Sequence, residues 1–193
     1  LIGNFNASNI LGIYATAILL GIPEEKLIPA IAKLTPPTGR LQFMKSTTGI
    51  YGVVDYAHTP DALDNVLSTL QKLRKGRQKI ITVVGCGGDR DKTKRPVMGK
   101  IACDKSDYVI FTSDNPRSEN PDDILKDIVS GVPNNLKNYE CVADRSLAIT
   151  KAYSFAMVGD IILVAGKGHE KYQIFSDRTI HFSDIEELEK NFK

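Results

Sequence analysis

Short, continuous apolar runs alternate with amphipathic stretches along most of the chain. KIITVVG (79–85), YVIFT (108–112) and DIILVAG (160–166) are rich in β-branched and aromatic residues, the pattern of strands buried on both faces. RLQFMKS (40–46) and IYGVVDYA (50–57) predict two strands turned at Gly49, YECVA (139–143) a further strand, and YQIFSDRTIHF (172–182) a second hairpin. The segments between them carry helical spacing and punctuation: PDALDNVLSTLQKLRKG (60–76), RPVMGKIACDKS (95–106), PDDILKDIVSG (121–131), RSLAITKAYSFA (145–156) and DIEELEKNF (184–192). Strand and helix in alternation predict an α/β fold with a mostly parallel, doubly wound, Rossmann-like sheet.

The first forty residues follow another pattern. SNILGIYATAILLG (8–21) predicts a helix with Ser8 as N-cap and Gly21 as its stop. PEEKLIPAIAKL (23–34) restarts with Pro23 in the first turn and two acids at the positive dipole end, and Pro29 threatens a kink. TPPTGR (35–40) is the strongest break in the chain and predicts a domain boundary, with residues 1–37 on one side and 38–193 on the other.

Composition narrows the partners. With 193 residues, 42% hydrophobic, 25% charged and a net charge of +2, the chain can build a core and offers no electrostatic case for nucleic acid or a membrane. IYATAILLGI is too short to span a bilayer. Cys86, Cys103 and Cys141 are odd in number and lack CxxC spacing, which argues against a disulfide framework or a zinc site and for a reducing cytoplasm. The chain opens on LIGNFN without an initiator methionine, so it reads as a piece of something longer.

The candidate chemistry sits at strand ends. DYAHTP follows YGVV, GCGGDRD follows IITVV, SDNPRSE follows YVIFT, and GKGHE follows IILVA. In a parallel sheet these carboxyl ends share the edge where open α/β sheets bind ligands. GCGGDRDKT is no Walker loop, because Asp89 and Asp91 stand where glycine amides would cradle phosphate, and it is not GxGxxG either. His58 and His169 lack partners at metal-ligand spacing and read as hydrogen-bonded histidines, while His181 alternates with Ile180 and Phe182 and reads as surface. Arg90 and Arg117 offer planar forks for carboxylates and Glu170 an acceptor for an ammonium. Two arrangements stay open: a pocket for a small zwitterion such as an amino acid, or an internal Arg–Glu network closing the loops.

At these residues the chain resembles the Mur ligases. GNFNASN, TGRLQ, VVDYAHTPDAL, GCGGDRDKTKRPVMG, SDNPRSENP and VAGKGHEKYQI occur in family order from near residue 1 to about residue 175. The resemblance implies a three-domain ligase, with residues 1–37 ending its central P-loop ATPase domain and 38–193 forming its amino-acid-binding C-terminal domain. It implies ATP, with Mg²⁺ held mainly outside this chain, phosphorylation of a carboxylate to an acyl phosphate, and attack by an amine in cytoplasmic peptidoglycan precursor synthesis. The substrates it implies are UDP-N-acetylmuramoyl-L-alanyl-D-glutamate and meso-diaminopimelate. Carried onto this sequence, Asn6 and Asn9 meet adenine, Arg40 the ATP phosphates and Asp55 the ribose, with His58 in support. Arg90, Asp114, Asn115, Pro116, Arg117, Gly166 and Glu170 take the diaminopimelate, with Arg117 on a distal carboxylate that lysine lacks. The resemblance assigns no catalytic residue or metal ligand within the chain. Without GxxxxGK[ST] the chain alone is expected to be inactive. The alternatives are a lysine-adding homologue, a folylpolyglutamate-type ligase, and a non-catalytic module that binds a small zwitterion.

Overall fold

The computed structural model describes residues 3–193; the side chains of residues 4 and 5, within the GNFNASN stretch, lie outside the description. Backbone contacts divide the chain into two units, Leu1–Pro37 and Thr38–Lys193.

In the first unit α1 (Asn4–Leu19) begins four residues before the expected Ser8 cap, with Gly3 as N-cap at φ 98°. Gly3 is the nearest helix breaker before Ser8, and the small polar residues between them are tolerated inside a helix at modest cost. Gly21, at φ 77°, stops the helix as expected, its N–H bonding to Ile18 O at 2.9 Å. α2 (Glu24–Ala32) is capped by Pro23, which stands just outside the first turn, and it contains Pro29. The Tyr14 hydroxyl donates to Glu24 Oε1 at 2.8 Å and ties the two helices together. Leu11, Leu19, Leu20 and Ile28 remain exposed.

The second unit opens with a hairpin of β1 (Gln42–Lys45) and β2 (Tyr51–Asp55), turned at Gly49 with φ 87°. Then follow α3 (Pro60–Leu73), β3 (Ile80–Val84), α4 (Lys94–Lys105), β4 (Tyr108–Phe111), α5 (Pro121–Val129), β5 (Tyr139–Cys141), α6 (Arg145–Phe155) and β6 (Ile161–Ala165). A second hairpin, β7 (Tyr172–Ile174) with β8 (Thr179–His181), and α7 (Asp184–Phe192) complete it. Side chains of Thr59, Asn120, Asp144 and Ser183 cap α3, α5, α6 and α7 by accepting first-turn N–H groups.

The six-stranded sheet runs β1-β2-β6-β3-β4-β5, and every pairing except β1 with β2 is parallel. β6 therefore returns to the middle, with Val164 opposite both Val54 and Val83. Alternation splits the strand residues between two faces. Val54, Ile81, Val83, Ile110, Ile162 and Val164 pack with Ile149, Leu188 and Phe192 of α6 and α7. On β3, Thr82 points to the other face, where its hydroxyl bonds Ser106 just past α4 at 2.7 Å. Helices thus cover both faces of a mixed, mostly parallel α/β sheet.

Candidate functional site

The strand order gathers the four polar loops, since β2, β6, β3 and β4 are spatial neighbours. Their carboxyl ends border a cleft of about 550 Å³, within the usual range for small-molecule sites. It is lined by Tyr56, His58 and Thr59 after β2, Gly87, Arg90, Asp91 and Lys94 after β3, Asp114, Asn115 and Arg117 after β4, and Gly166, Glu170 and Tyr172 after β6. Of the expected residues, His58, Arg90, Asp114, Asn115, Arg117, Gly166 and Glu170 meet here. Pro116 is buried behind them. Asn6 and Asn9 lie one turn apart on α1, in the other unit.

The β4 exit shows why an arginine follows Asp-Asn-Pro. Arg117 takes φ 52° and Asp89, in the facing loop, φ 54°; both are left-handed conformations that side chains seldom adopt unless their surroundings impose them. Here the loops are stitched together. Gly88 N–H donates to Asn115 O at 2.9 Å, Ser118 Oγ to Asp89 Oδ1 at 2.6 Å, and Arg117 N–H to Ile174 O at 3.0 Å. The Arg117 guanidinium donates to Gly88 O at 2.8 Å, and that of Arg90 to Asp89 O at 3.1 Å. Both forks thus meet carbonyls, and among the described residues neither has an ion-pair partner, whereas Arg95 and Lys167 do.

The acidic side of the cleft is equally ordered. Lys167, with a fully buried side chain, donates to Asn115 Oδ1 at 3.0 Å and to Asp114 Oδ1 and Glu170 Oε2 at 3.3 Å each. Asn115 Nδ2 donates to Glu170 Oε2 at 3.0 Å, and the Ile174 amide donates to Asn115 Oδ1 at 3.0 Å. Buried Gln173 donates to Asp114 O at 2.8 Å, so the second hairpin braces the β4 loop.

Around the β2 end, Asp55 accepts Leu41 N–H and Ala57 N–H at 2.8 Å each. Burial pushes its carboxyl above the ordinary value, against those two bonds and the nearby Arg40 charge. Its oxygens therefore already hold the turn that carries Arg40. Arg40 is exposed, its guanidinium 5.7 Å from the Tyr56 ring centroid. His58 and His169 also rest on Tyr56, with ring centroids 4.6 and 5.2 Å away. His58 Nδ1–H donates to Tyr56 O at 2.8 Å, which leaves Nε2 as the acceptor of the neutral ring. His181 is exposed, as expected, and contacts Glu186.

Sequence reasoning passed over Lys167, Arg95, Tyr56 and Tyr172. Arg95 is wholly buried between the β3 and β4 loops, bonding Glu119 through both terminal nitrogens at 2.9 Å, Asp127 at 2.8 Å and Gly87 O at 3.1 Å. One usable signal existed for Lys167: it lies two residues past a continuous apolar strand, between two glycines, where a side chain has little room to escape. Among the described residues no group of three or more His, Cys, Asp or Glu could hold a metal ion.

The Mur ligase, glutamate ligase domain model matches residues 39–168. The chain belongs to the Mur ligase family. Its curated relatives include the UDP-N-acetylmuramoyl-L-alanyl-D-glutamate–2,6-diaminopimelate ligases of Lactiplantibacillus plantarum, 52% identical over 98% of this chain and 38% of that protein, and of Bacteroides thetaiotaomicron, 49% identical over 99% and 40%. The chain thus spans about two fifths of their length. A solved structure of a UDP-N-acetylmuramoyl-L-alanyl-D-glutamate–2,6-diaminopimelate ligase superposes with TM-score 0.76 at 38% identity, over all of this chain and 39% of that one. The Mycobacterium tuberculosis folylpolyglutamate synthase shares the fold alone, with TM-score 0.66 at 21% identity over 86% of this chain and 38% of its own. No helix among the described residues is long and apolar enough to cross a membrane.

Proposed function

We propose that this Mur ligase chain is part of an ATP-dependent ligase that adds meso-diaminopimelate to UDP-N-acetylmuramoyl-L-alanyl-D-glutamate, and that residues 38–193 hold the incoming amino acid. The observation that carries the reading is the polarity of the cleft. Two guanidiniums without carboxylate partners face the same space as Asp114 and Glu170, an arrangement complementary to an ammonium–carboxylate centre. Lysine would satisfy only the acidic side at its far end. The names of the most similar relatives support the same substrate.

Residues 1–37 fit the end of a central ATPase domain, because their exposed Leu11, Leu19, Leu20 and Ile28 suit burial against more of such a domain. In the reaction, ATP converts a carboxylate to an acyl phosphate, and the neutral amine attacks its carbonyl carbon. The tetrahedral intermediate then expels phosphate, leaving an amide, ADP and a released proton. The residues of this chain orient the amino acid by its distal end, so that its reacting amine arrives in one pose. ATP-side roles for Asn6, Asn9, Arg40 and Asp55 belong to the same reading, and no step is routed through Mg²⁺.

The test is Arg117→Asn in the full-length ligase, asparagine being chosen because it tolerates the φ of 52°. Loss of one partner of a desolvated pair costs about 2–5 kcal/mol, so KM for diaminopimelate should rise at least about thirtyfold with KM for ATP unchanged. Wild-type-like kinetics, or a wild-type preference for L-lysine over diaminopimelate, would refute the reading.

A further inference from the structure

We infer that Lys167 is a positioning residue for the amino-acid site: from behind the cleft it holds Glu170 and Asn115 in their binding orientation and keeps Glu170 from collapsing onto the arginines. The inference rests on the reading above. Lys167 has a fully buried side chain and does not line the cleft, whereas its partners Asp114, Asn115 and Glu170 all do.

Its bonds decide the orientation of an amide. Asn115 Oδ1 accepts from Lys167 Nζ and from the Ile174 amide, each at 3.0 Å. Both are donors only, so the oxygen must face them and Nδ2 must turn to Glu170 Oε2, where it donates at 3.0 Å. Remove the ammonium and Asn115 loses one of the two donors that fix its orientation, while Glu170 loses its only ion-pair partner among the described residues.

A freed Glu170 has an alternative partner close by. Arg90 and Arg117 border the same cleft, and among the described residues their guanidiniums donate only to carbonyl oxygens. An Arg–Glu pair formed there would occupy both poles of the site at once. Lys167 prevents this by neutralising Glu170 and Asp114 on the side away from the cleft. Repulsion of the incoming ammonium by Lys167 is the competing effect. It is weak because two carboxylates and an amide oxygen within 3.3 Å already compensate the lysine charge.

The test is Lys167→Met in the full-length ligase, with steady-state kinetics in both substrates. KM for diaminopimelate should rise at least about tenfold, since a buried carboxylate is left uncompensated, while KM for ATP and kcat change less than about threefold. A merely structural lysine would lower kcat and both kcat/KM values in proportion as the folded fraction falls. In a Glu170→Gln background, where the carboxylate to be held is gone, Lys167→Met should have a much smaller effect; equal factors in the two backgrounds would mean that Lys167 does not act through Glu170. Lys167→Gln, of similar length and neutral, repeats the test should methionine prevent folding. A diaminopimelate KM within twofold of wild type in either folded variant, or below it, overturns the inference alone. No turnover of diaminopimelate by the wild type overturns the underlying reading and this inference with it.

Discussion

Replacing Arg95 with Met should destabilise residues 38–193 by about 2 kcal/mol at pH 7, and the loss should shrink in acid. Breaking a buried ion pair by deleting one partner typically costs about 3–5 kcal/mol. Here the arginine side chain is fully buried but Glu119 is 16% and Asp127 44% exposed, so both carboxylates can rehydrate and the cost falls below that range. A second route gives a similar figure. Hydrogen bonding to Arg95, then to the Asp89 N–H, holds the Glu119 carboxyl at about 2, down from its ordinary 4.5. At about 1.4 kcal/mol per pH unit the whole difference is worth about 3.5 kcal/mol, of which Arg95 supplies a part and the Asp89 N–H and Lys92 the rest, less some screening at the solvent-facing rim.

The sign follows from the depressed value. The stabilisation is complete above the unfolded carboxyl's 4.5 and is lost as pH falls through about 2. Urea unfolding followed by circular dichroism should therefore show the gap between wild type and variant narrowing by about 1 kcal/mol from pH 7 to pH 3.5. A gap below about 0.5 kcal/mol at pH 7, within the range of ordinary surface substitutions, or one independent of pH, would refute the reasoning. Because Arg95 also holds Gly87 O, and Glu119 the Asp89 N–H, the variant should loosen the loops that carry Arg90 and Arg117.

Gly39→Ala should destabilise the same unit by about 2 kcal/mol or more, combining a left-handed backbone with overpacking. Gly39 has φ 72°, and a Cβ there would lie 2.2 Å from His169 N; a change in unfolding free energy within experimental error would contradict that close approach. Titration with a thiol reagent at pH 8 should label Cys141 in the native protein and Cys86 only on unfolding. Cys141 is exposed, whereas burial pushes the Cys86 thiol up to about 12; fast native labelling of Cys86 would be inconsistent with its placement.

The fold was largely legible because its signals are local. Apolar runs gave the strands, and Gly49, Gly21 and Pro60 marked turns and ends with the backbone roles their chemistry dictates. The start of α1 was not, because Ser8 has the chemistry of a cap yet is followed and preceded by residues a helix accepts. Nor was the insertion of β6 between β2 and β3, which depends on side-chain packing across both faces and not on any one segment. The buried cations were the larger omission. Lysine and arginine ordinarily read as solvated, and Lys167, Arg95 and Arg145 are buried only because loops distant in sequence converge on them.

Those three cations also explain why the cleft is polar instead of self-neutralised. Arg145 takes Asp184 through two bonds at 2.7 and 2.8 Å, Arg95 takes Glu119 and Asp127, and Lys167 takes Asp114 and Glu170 from behind. Glu119, Asp114 and Glu170 are thereby committed to buried cations, while Arg90 and Arg117 donate to carbonyl oxygens. A carbonyl bond leaves the guanidinium its full charge and several N–H donors, so an incoming carboxylate gains an ion pair without displacing one. The sequence left an amino-acid pocket and an internal Arg–Glu network as alternatives. An internal Arg–Glu network does occur in the fold, on Arg95 and Glu119, and Arg90 and Arg117 of the cleft stay without an ion-pair partner among the described residues, as the proposed amino-acid site requires.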